Sequence, residues 1–154
     1  MRKIEFRGKT IAEPSVWVFG GIVPPNPYNP NWAIWSNGHG FNVHEKSVGQ
    51  LIEHQFWNEE DDTKSRRHIY EGDILLTCAR ADLYDYEWDR ESKPDFLMPY
   101  LVAVRGARAV LLDKNGGAVE QWSDGEIDSY GIELSGCGYE EVIGNYFDNP
   151  ELMN

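Results

Sequence analysis

Apolar and polar residues alternate along much of this chain, and apolar stripes at helical spacing are scarce. Successive side chains of a strand point to opposite faces, so a period of two specifies half-buried strands. Lys3-Ile4-Glu5-Phe6-Arg7 sets Ile4 and Phe6 on one face and charges on the other. Ser15-Val16-Trp17-Val18-Phe19 is a second β-rich run, and Gly20-Gly21 is expected to close it. The two runs are expected to pair as a hairpin across a loop over residues 8–14. Four prolines in Pro24-Pro25-Asn26-Pro27-Tyr28-Asn29-Pro30 exclude helix and central strand, so this is an extended loop. Asn37-Gly38 signals a tight hairpin turn after Trp32, Ile34 and Trp35.

Residues 48–57 suit either a short helix or a strand, with Leu51-Ile52 and Phe56-Trp57 as their apolar pairs. Residues 58–67 hold an acidic half followed by a basic half, and the expectation there is a solvated loop. Ile69-Tyr70-Glu71-Gly72-Asp73-Ile74-Leu75-Leu76-Thr77-Cys78 is the clearest strand with its leading turn. Gly72 can take positive φ cheaply, and Asp73 is expected to bond the backbone beyond it. Ile74, Leu76 and Cys78 would share a face. Residues 99–105 and 109–112 are two further strands with Gly106 between them, and Asp113-Lys114-Asn115-Gly116-Gly117 is a turn into a strand over 118–122. Glu140-Glu141-Val142-Ile143-Gly144-Asn145-Tyr146-Phe147 is the last strand. Asn149 as cap and Pro150 at the first helical position then predict one helical turn. The fold class is mostly β, with small antiparallel sheets or barrel-like subdomains. The domain expectation is one domain over residues 1–154, divisible into two β subdomains, with an exposed loop near 58–68.

A chain of 154 residues can bury enough surface to be stable without staples. Its two cysteines, Cys78 and Cys137, are too few for a disulfide framework and read as thiols of a reducing compartment. No run approaches the length of a membrane span, and Met1-Arg2-Lys3 has no apolar run behind it as a secretory leader would. The expected location is the cytoplasm. Net charge is −12, with 14 basic against 26 acidic side chains, which disfavours duplex and anionic-membrane binding and leaves room for a basic protein partner.

Candidate chemistry is sparse. In Asp82-Leu83-Tyr84-Asp85-Tyr86-Glu87-Trp88-Asp89, a strand would put Asp85, Glu87 and Asp89 on one face, where hard cations prefer clustered carboxylates. The segment lacks the ligand spacing of a defined cation loop and reads as a solvated face. Asp113-Lys114-Asn115-Gly116 begins like a calcium loop, but Trp122 stands where the closing glutamate belongs. His39, His44, His54 and His68 lack zinc spacing, Cys137 has no identifiable base, and phosphate-binding glycine loops and nucleophile elbows are absent from the sequence. No catalytic residue, cofactor or metal is therefore assigned. Six Trp, eight Tyr and six Phe suit a β core and a protein interface.

Three segments in order carry a resemblance: Arg2-Lys3-Ile4-Glu5-Phe6-Arg7-Gly8-Lys9; Val48-Gly49-Gln50 leading to Ile69-Tyr70-Glu71-Gly72-Asp73-Ile74; and Val142-Ile143-Gly144-Asn145-Tyr146-Phe147-Asp148-Asn149-Pro150-Glu151-Leu152. Together they resemble the YopX family of phage and prophage proteins. The resemblance implies a mostly-β fold in a bacterial host, and it implies no activity. Its motif residues, Ile4, Phe6, Arg7, Gly49, Glu71, Gly72, Asp73, Ile74, Gly144, Asn145, Asn149 and Pro150, read as scaffold. Ile4, Phe6, Ile74 and Val142 suit core, Gly72 and Gly144 suit sites where a side chain would clash, and Asp73 and Asn149 suit capping. Family members often have a short Asp-x-Asn-Gly turn where residues 51–68 stand here. The expected function is a non-enzymatic accessory module that binds a host or phage protein and self-associates. The alternatives are a small nucleic-acid-binding barrel using Arg66, Arg67, Arg105 and Arg108, and a metal enzyme centred on Asp82, Asp85, Glu87 and Asp89.

Overall fold

The computed structural model describes residues 4–58, 63–77, 97–105, 108–118 and 140–154. Within them lie two antiparallel sheets and a short C-terminal 3-10 turn, an all-β fold. The first sheet is ordered β4-β3-β2-β1-β5-β6. Its strands are β1 (Phe6–Lys9), β2 (Trp17–Val23), β3 (Ala33–Ser36), β4 (His39–Asn42), β5 (Gly49–Asn58) and β6 (Thr63–Tyr70). The second is ordered β10-β7-β8-β9, with β7 (Asp73–Thr77), β8 (Met98–Arg105), β9 (Arg108–Leu112) and β10 (Glu140–Asn145). Among the described residues no helix is long and apolar enough to cross a membrane.

Local chemistry places the turns. β1 and β2 pair as a hairpin, Phe6 opposite Gly20 and Lys9 opposite Trp17. Asn37 and Gly38 both take positive φ, +49° and +80°, which matches the right-handed twist of β3 and β4. Asp113 Oδ1 accepts the backbone N–H groups of Asn115 and Gly117, each at 2.8 Å, and closes the turn between Leu112 and Ala118. Pro150 opens the 3-10 turn Pro150–Met153.

The chain passes from one sheet to the other through Glu71-Gly72. Gly72 has φ +89°, a conformation that costs a glycine little. Its N–H donates to Val102 O at 2.8 Å, and its carbonyl accepts Tyr146 N–H at 2.8 Å. The N–H of Glu71 donates to Gln50 O at 2.9 Å. Two residues thus bond β5, β8 and the segment after β10. A buried apolar cluster draws on both sheets: Ile52 and Ile69 from β5–β6, and Leu75, Tyr100, Val102 and Leu111 from β7–β9. Ile34 and Val43 are buried at the other end of the first sheet.

Several expectations need correction. Thr63-Lys64-Ser65-Arg66-Arg67, expected as loop, is the first part of β6 and pairs with residues 54–58 of β5. Backbone pairing supplies the strand there, although the sequence shows no apolar alternation. Residues 48–57, left open between helix and strand, fall almost wholly in β5. Gly20-Gly21 does not close β2, which runs on to Val23. A Cβ on Gly20 would lie 2.1 Å from Trp35 O, so the glycine marks a close backbone approach inside a strand. Ile4 is 70% exposed, because β1 begins only at Phe6, and Phe6 itself is half-buried. Val142 is 42% exposed on edge strand β10, next to a register irregularity between Val142 and Gly144. In β7, Ile74, Leu75 and Thr77 are all buried, so both faces are covered, not the one expected. Cys78, Gly106 and residues 119–122 lie outside the described residues.

Two glycines of the first sheet test the packing. A Cβ on Gly49 would sit 2.1 Å from Glu71 O, whereas one on Gly21 meets nothing within 4 Å. Gly49→Ala is expected to destabilise the fold by about 1–3 kcal/mol in urea unfolding, through forced backbone displacement. Gly21→Ala is expected to change stability by no more than about 0.5 kcal/mol.

Candidate functional site

Arg7 and Lys9 are two residues apart on β1 and therefore share a face. Each is joined to a carboxylate far along the chain, at positions 73 and 148. Arg7 forms an ion pair with Asp73, at 11% and 4% side-chain exposure. Asp73 Oδ2 also accepts the backbone N–H of Tyr70 at 2.8 Å. This bond reaches back across the Glu71-Gly72 turn, whereas the sequence suggested one reaching forward. The same guanidinium nitrogen also points at Glu71 O, 3.5 Å away at the limit of hydrogen bonding. The Arg7 Cζ lies 4.7 Å from the Trp17 ring centre and 4.9 Å from that of Tyr70, so the cation sits against two aromatic faces. The Arg7 Nε is buried without a hydrogen-bond partner. Tyr70 donates its hydroxyl to Glu5 Oε1 at 2.7 Å and stacks at a tilt on Phe19, ring centres 5.6 Å apart.

Lys9 pairs with Asp148. Asp148 Oδ2 also accepts from Trp17 Nε1 at 3.1 Å and Asn145 Nδ2 at 3.3 Å. Asn145 Oδ1 accepts the backbone N–H groups of Phe147 and Asp148, at 3.0 and 2.9 Å. This turn presents Phe147 edge-on to Trp17, with centres 6.4 Å apart, and beside His44 at 5.5 Å. A Cβ on Gly144 would lie 2.8 Å from Leu152 Cδ1 and 2.9 Å from Asn149 Oδ1, so the 3-10 turn folds directly onto β10. Asn149 makes no side-chain cap bond, contrary to its expected role; its N–H donates to Asn145 O instead.

Electrostatics follow from this geometry. Burial pushes the Asp73 carboxyl above its ordinary value, and the Arg7 guanidinium and the Tyr70 N–H pull it part of the way back. Burial and then the Glu5 carboxylate hold the Tyr70 phenol well above its usual range, so it serves as a neutral donor. The hydrogen bond from Lys9 leads in holding Asp148 below the ordinary aspartate value. The cluster is a junction of paired charges against aromatic rings. Among the described residues no three His, Cys, Asp or Glu side chains are grouped to hold a metal.

Arg7, Gly49, Glu71, Gly72 and Asp73 thus meet at one junction, and Gly144, Asn145 and Asn149 build the turn that delivers Asp148 to Lys9. Glu71 also accepts the Val104 N–H at 3.4 Å. Ile74 lies in the core, and Phe6 pairs with Gln50 at the β1–β5 seam. Trp17, Tyr70 and Asp148 were not singled out by sequence reasoning. Their one advance signal was the pair of cations two apart on β1, which places both on one face. The arginines of the nucleic-acid alternative lie on β6, β8 and β9. Arg66 and Arg67 pair through their backbones with Gln55 and His54, and the Arg105 guanidinium donates to Gly116 O at 3.3 Å, opposite Arg108 in register. Asp82, Asp85, Glu87, Asp89 and Cys137 lie outside the described residues.

A second surface lies on β2–β4. Residues 14–44 contain no Lys, Arg, Asp or Glu, in a chain that is 26% charged. Acidic residues outnumber basic ones in each of 59–62, 78–96 and 119–139. On the uncharged surface Phe19 is 44% exposed, Trp35 56% and Tyr28 98%. Trp35 stands opposite Gly21 on β2 and Gly40 on β4. Its ring leans over Gly40, whose Cβ position is 3.1 Å from two ring carbons, and the position above Gly21 stays open.

Removing Asp73 leaves a buried cation, and Asp73→Ala is expected to cost about 3–5 kcal/mol in denaturant unfolding. The double variant Arg7→Met/Asp73→Leu should cost clearly less than the two single changes combined. Asp148 titrates below its unfolded value. Its contribution is complete above about pH 4 and is lost as pH falls through the lower folded value. The stability gap between wild type and Asp148→Asn is therefore expected to close as pH is lowered below about 4, from at most about 1 kcal/mol for so exposed a pair. Comparison with protein-family models, curated proteins and solved structures finds no match to this chain.

Proposed function

We propose that this chain is a non-enzymatic protein-binding module that self-associates, working as a YopX-type phage or prophage accessory protein in the cytoplasm of a bacterial host. The observation that carries the binding reading is the uncharged aromatic surface of β2–β4. Interface centres are depleted of charge and enriched in Trp, Tyr and Phe, and residues 14–44 have that composition with Phe19, Tyr28 and Trp35 facing solvent. A charged chain keeps thirty-one successive positions free of charge at a cost in solubility, which a binding surface accounts for. The YopX reading is supported by the way its three motif segments converge on the Arg7 and Lys9 ion pairs.

A small-barrel reading of β1–β4 goes with it. Ile11 N–H donates to Asn42 O at 3.0 Å and His44 N–H to Lys9 O at 2.8 Å, so the end of β4 returns to the end of β1. Such closure ties the end of β4 to the end of β1 and leaves the outer face as the surface available to a partner.

Affinity capture from the bacterial host with wild-type chain and with Trp35→Glu tests the function. The expected result is a discrete protein, retained after nuclease treatment, held by wild type and lost from the variant. Nucleic acid held equally by both, or equal protein recovery on both, would overturn the proposal.

A further inference from the structure

We infer that the partner at this face is a second copy of the chain, docked about a twofold axis that sets each Trp35 against the other copy's Gly21. The inference rests on the protein-binding reading above and names its occupant. A twofold interface is self-complementary: if residue i touches residue j, then j touches i. It therefore needs a projection and a recess side by side on one surface. Trp35 and Gly21 are direct cross-strand partners on the same face of β2–β3. The Trp35 ring leans away over Gly40, and the space a side chain would fill at Gly21 has no atom within 4 Å. Projection and recess are thus adjacent, uncharged and both open to solvent.

Charge distribution favours a copy of this chain over a basic partner. Two chains of net charge −12 repel each other, and a twofold axis brings each charge near its own duplicate. The β2–β4 surface has no charges to duplicate, so two copies can meet there without like-charge contact. A basic protein would gain nothing electrostatic from this surface and would be drawn to the acidic segments instead.

Sedimentation equilibrium on the purified full chain tests the inference. Wild type is expected to dimerise, and more tightly as NaCl rises from ~20 mM to ~500 mM, because salt screens the repulsion between the two acidic chains. Gly21→Val fills the recess at a strand position with room for a side chain. It is expected to keep the wild-type melting curve and circular dichroism while weakening association at least about tenfold. Trp35→Glu should do the same by placing two carboxylates at the axis. Val142→Glu, which adds the same charge on β10, should dimerise almost as wild type does. A wild-type chain that is monomeric at every concentration and salt would overturn the inference, and host capture would still decide the protein-binding reading. A dimer that persists in both Gly21→Val and Trp35→Glu would also overturn it, while self-association itself would stand.

Discussion

The junction between the two sheets depends on a charge taken out of water. Arg7 is nearly buried, and an isolated guanidinium there would cost far more than a fold of this size can spare. Asp73 supplies the opposite charge, Trp17 and Tyr70 supply ring faces, and Glu71 turns a carbonyl toward it. The compensation is incomplete, since the Arg7 Nε has no partner. A buried ion pair of this kind adds little net stability compared with an apolar replacement, but it punishes misplacement of either partner. The pair therefore constrains where the Glu71-Gly72 turn can sit. That turn in turn sets the approach of β5, β8 and the segment after β10, through three backbone hydrogen bonds.

β1 is only four residues long, yet it organises more than its own pairings. One face carries both cations, and their carboxylates come from positions 73 and 148. On its other face Gly8 leaves room for Val43, where a Cβ would lie 2.9 Å away. β1 can serve both faces because Arg7 and Lys9 alternate with Phe6 and Gly8. The charged side of the protein's interior and the uncharged exterior of β2–β4 are thus neighbours on one sheet. That separation leaves room for a partner surface on an acidic chain: Arg7 and Lys9 are held in ion pairs with Asp73 and Asp148, and the acidic surplus is carried by 59–62, 78–96 and 119–139.

Particular elements show how much could be read in advance. The hairpin at Asn37-Gly38, the positive φ at Gly72, the turn at Asp113 and the final 3-10 turn all follow from local chemistry, and local chemistry is written in adjacent residues. β6 was missed because Thr63-Lys64-Ser65-Arg66-Arg67 has no alternation, and its place comes from a ladder with β5. Gly20 was read as a strand end because its real constraint, the carbonyl of Trp35, is fifteen residues away in the chain. Ile4 and Val142 were read as core from hydrophobicity alone, and an edge or a strand start leaves such residues in water.

By itself the amino-acid order determined the β class, most turns, and which segments are acidic, aromatic or free of charge. Those properties depend on residue type and short-range spacing. Tertiary structure alone decided that Arg7 meets Asp73, that Lys9 meets Asp148, and that Trp35 stands beside an open Gly21. Contacts between residues 66 or 139 positions apart leave no local trace in either partner. They exist because sheet register and one tight turn bring the two ends of the chain to the same strand.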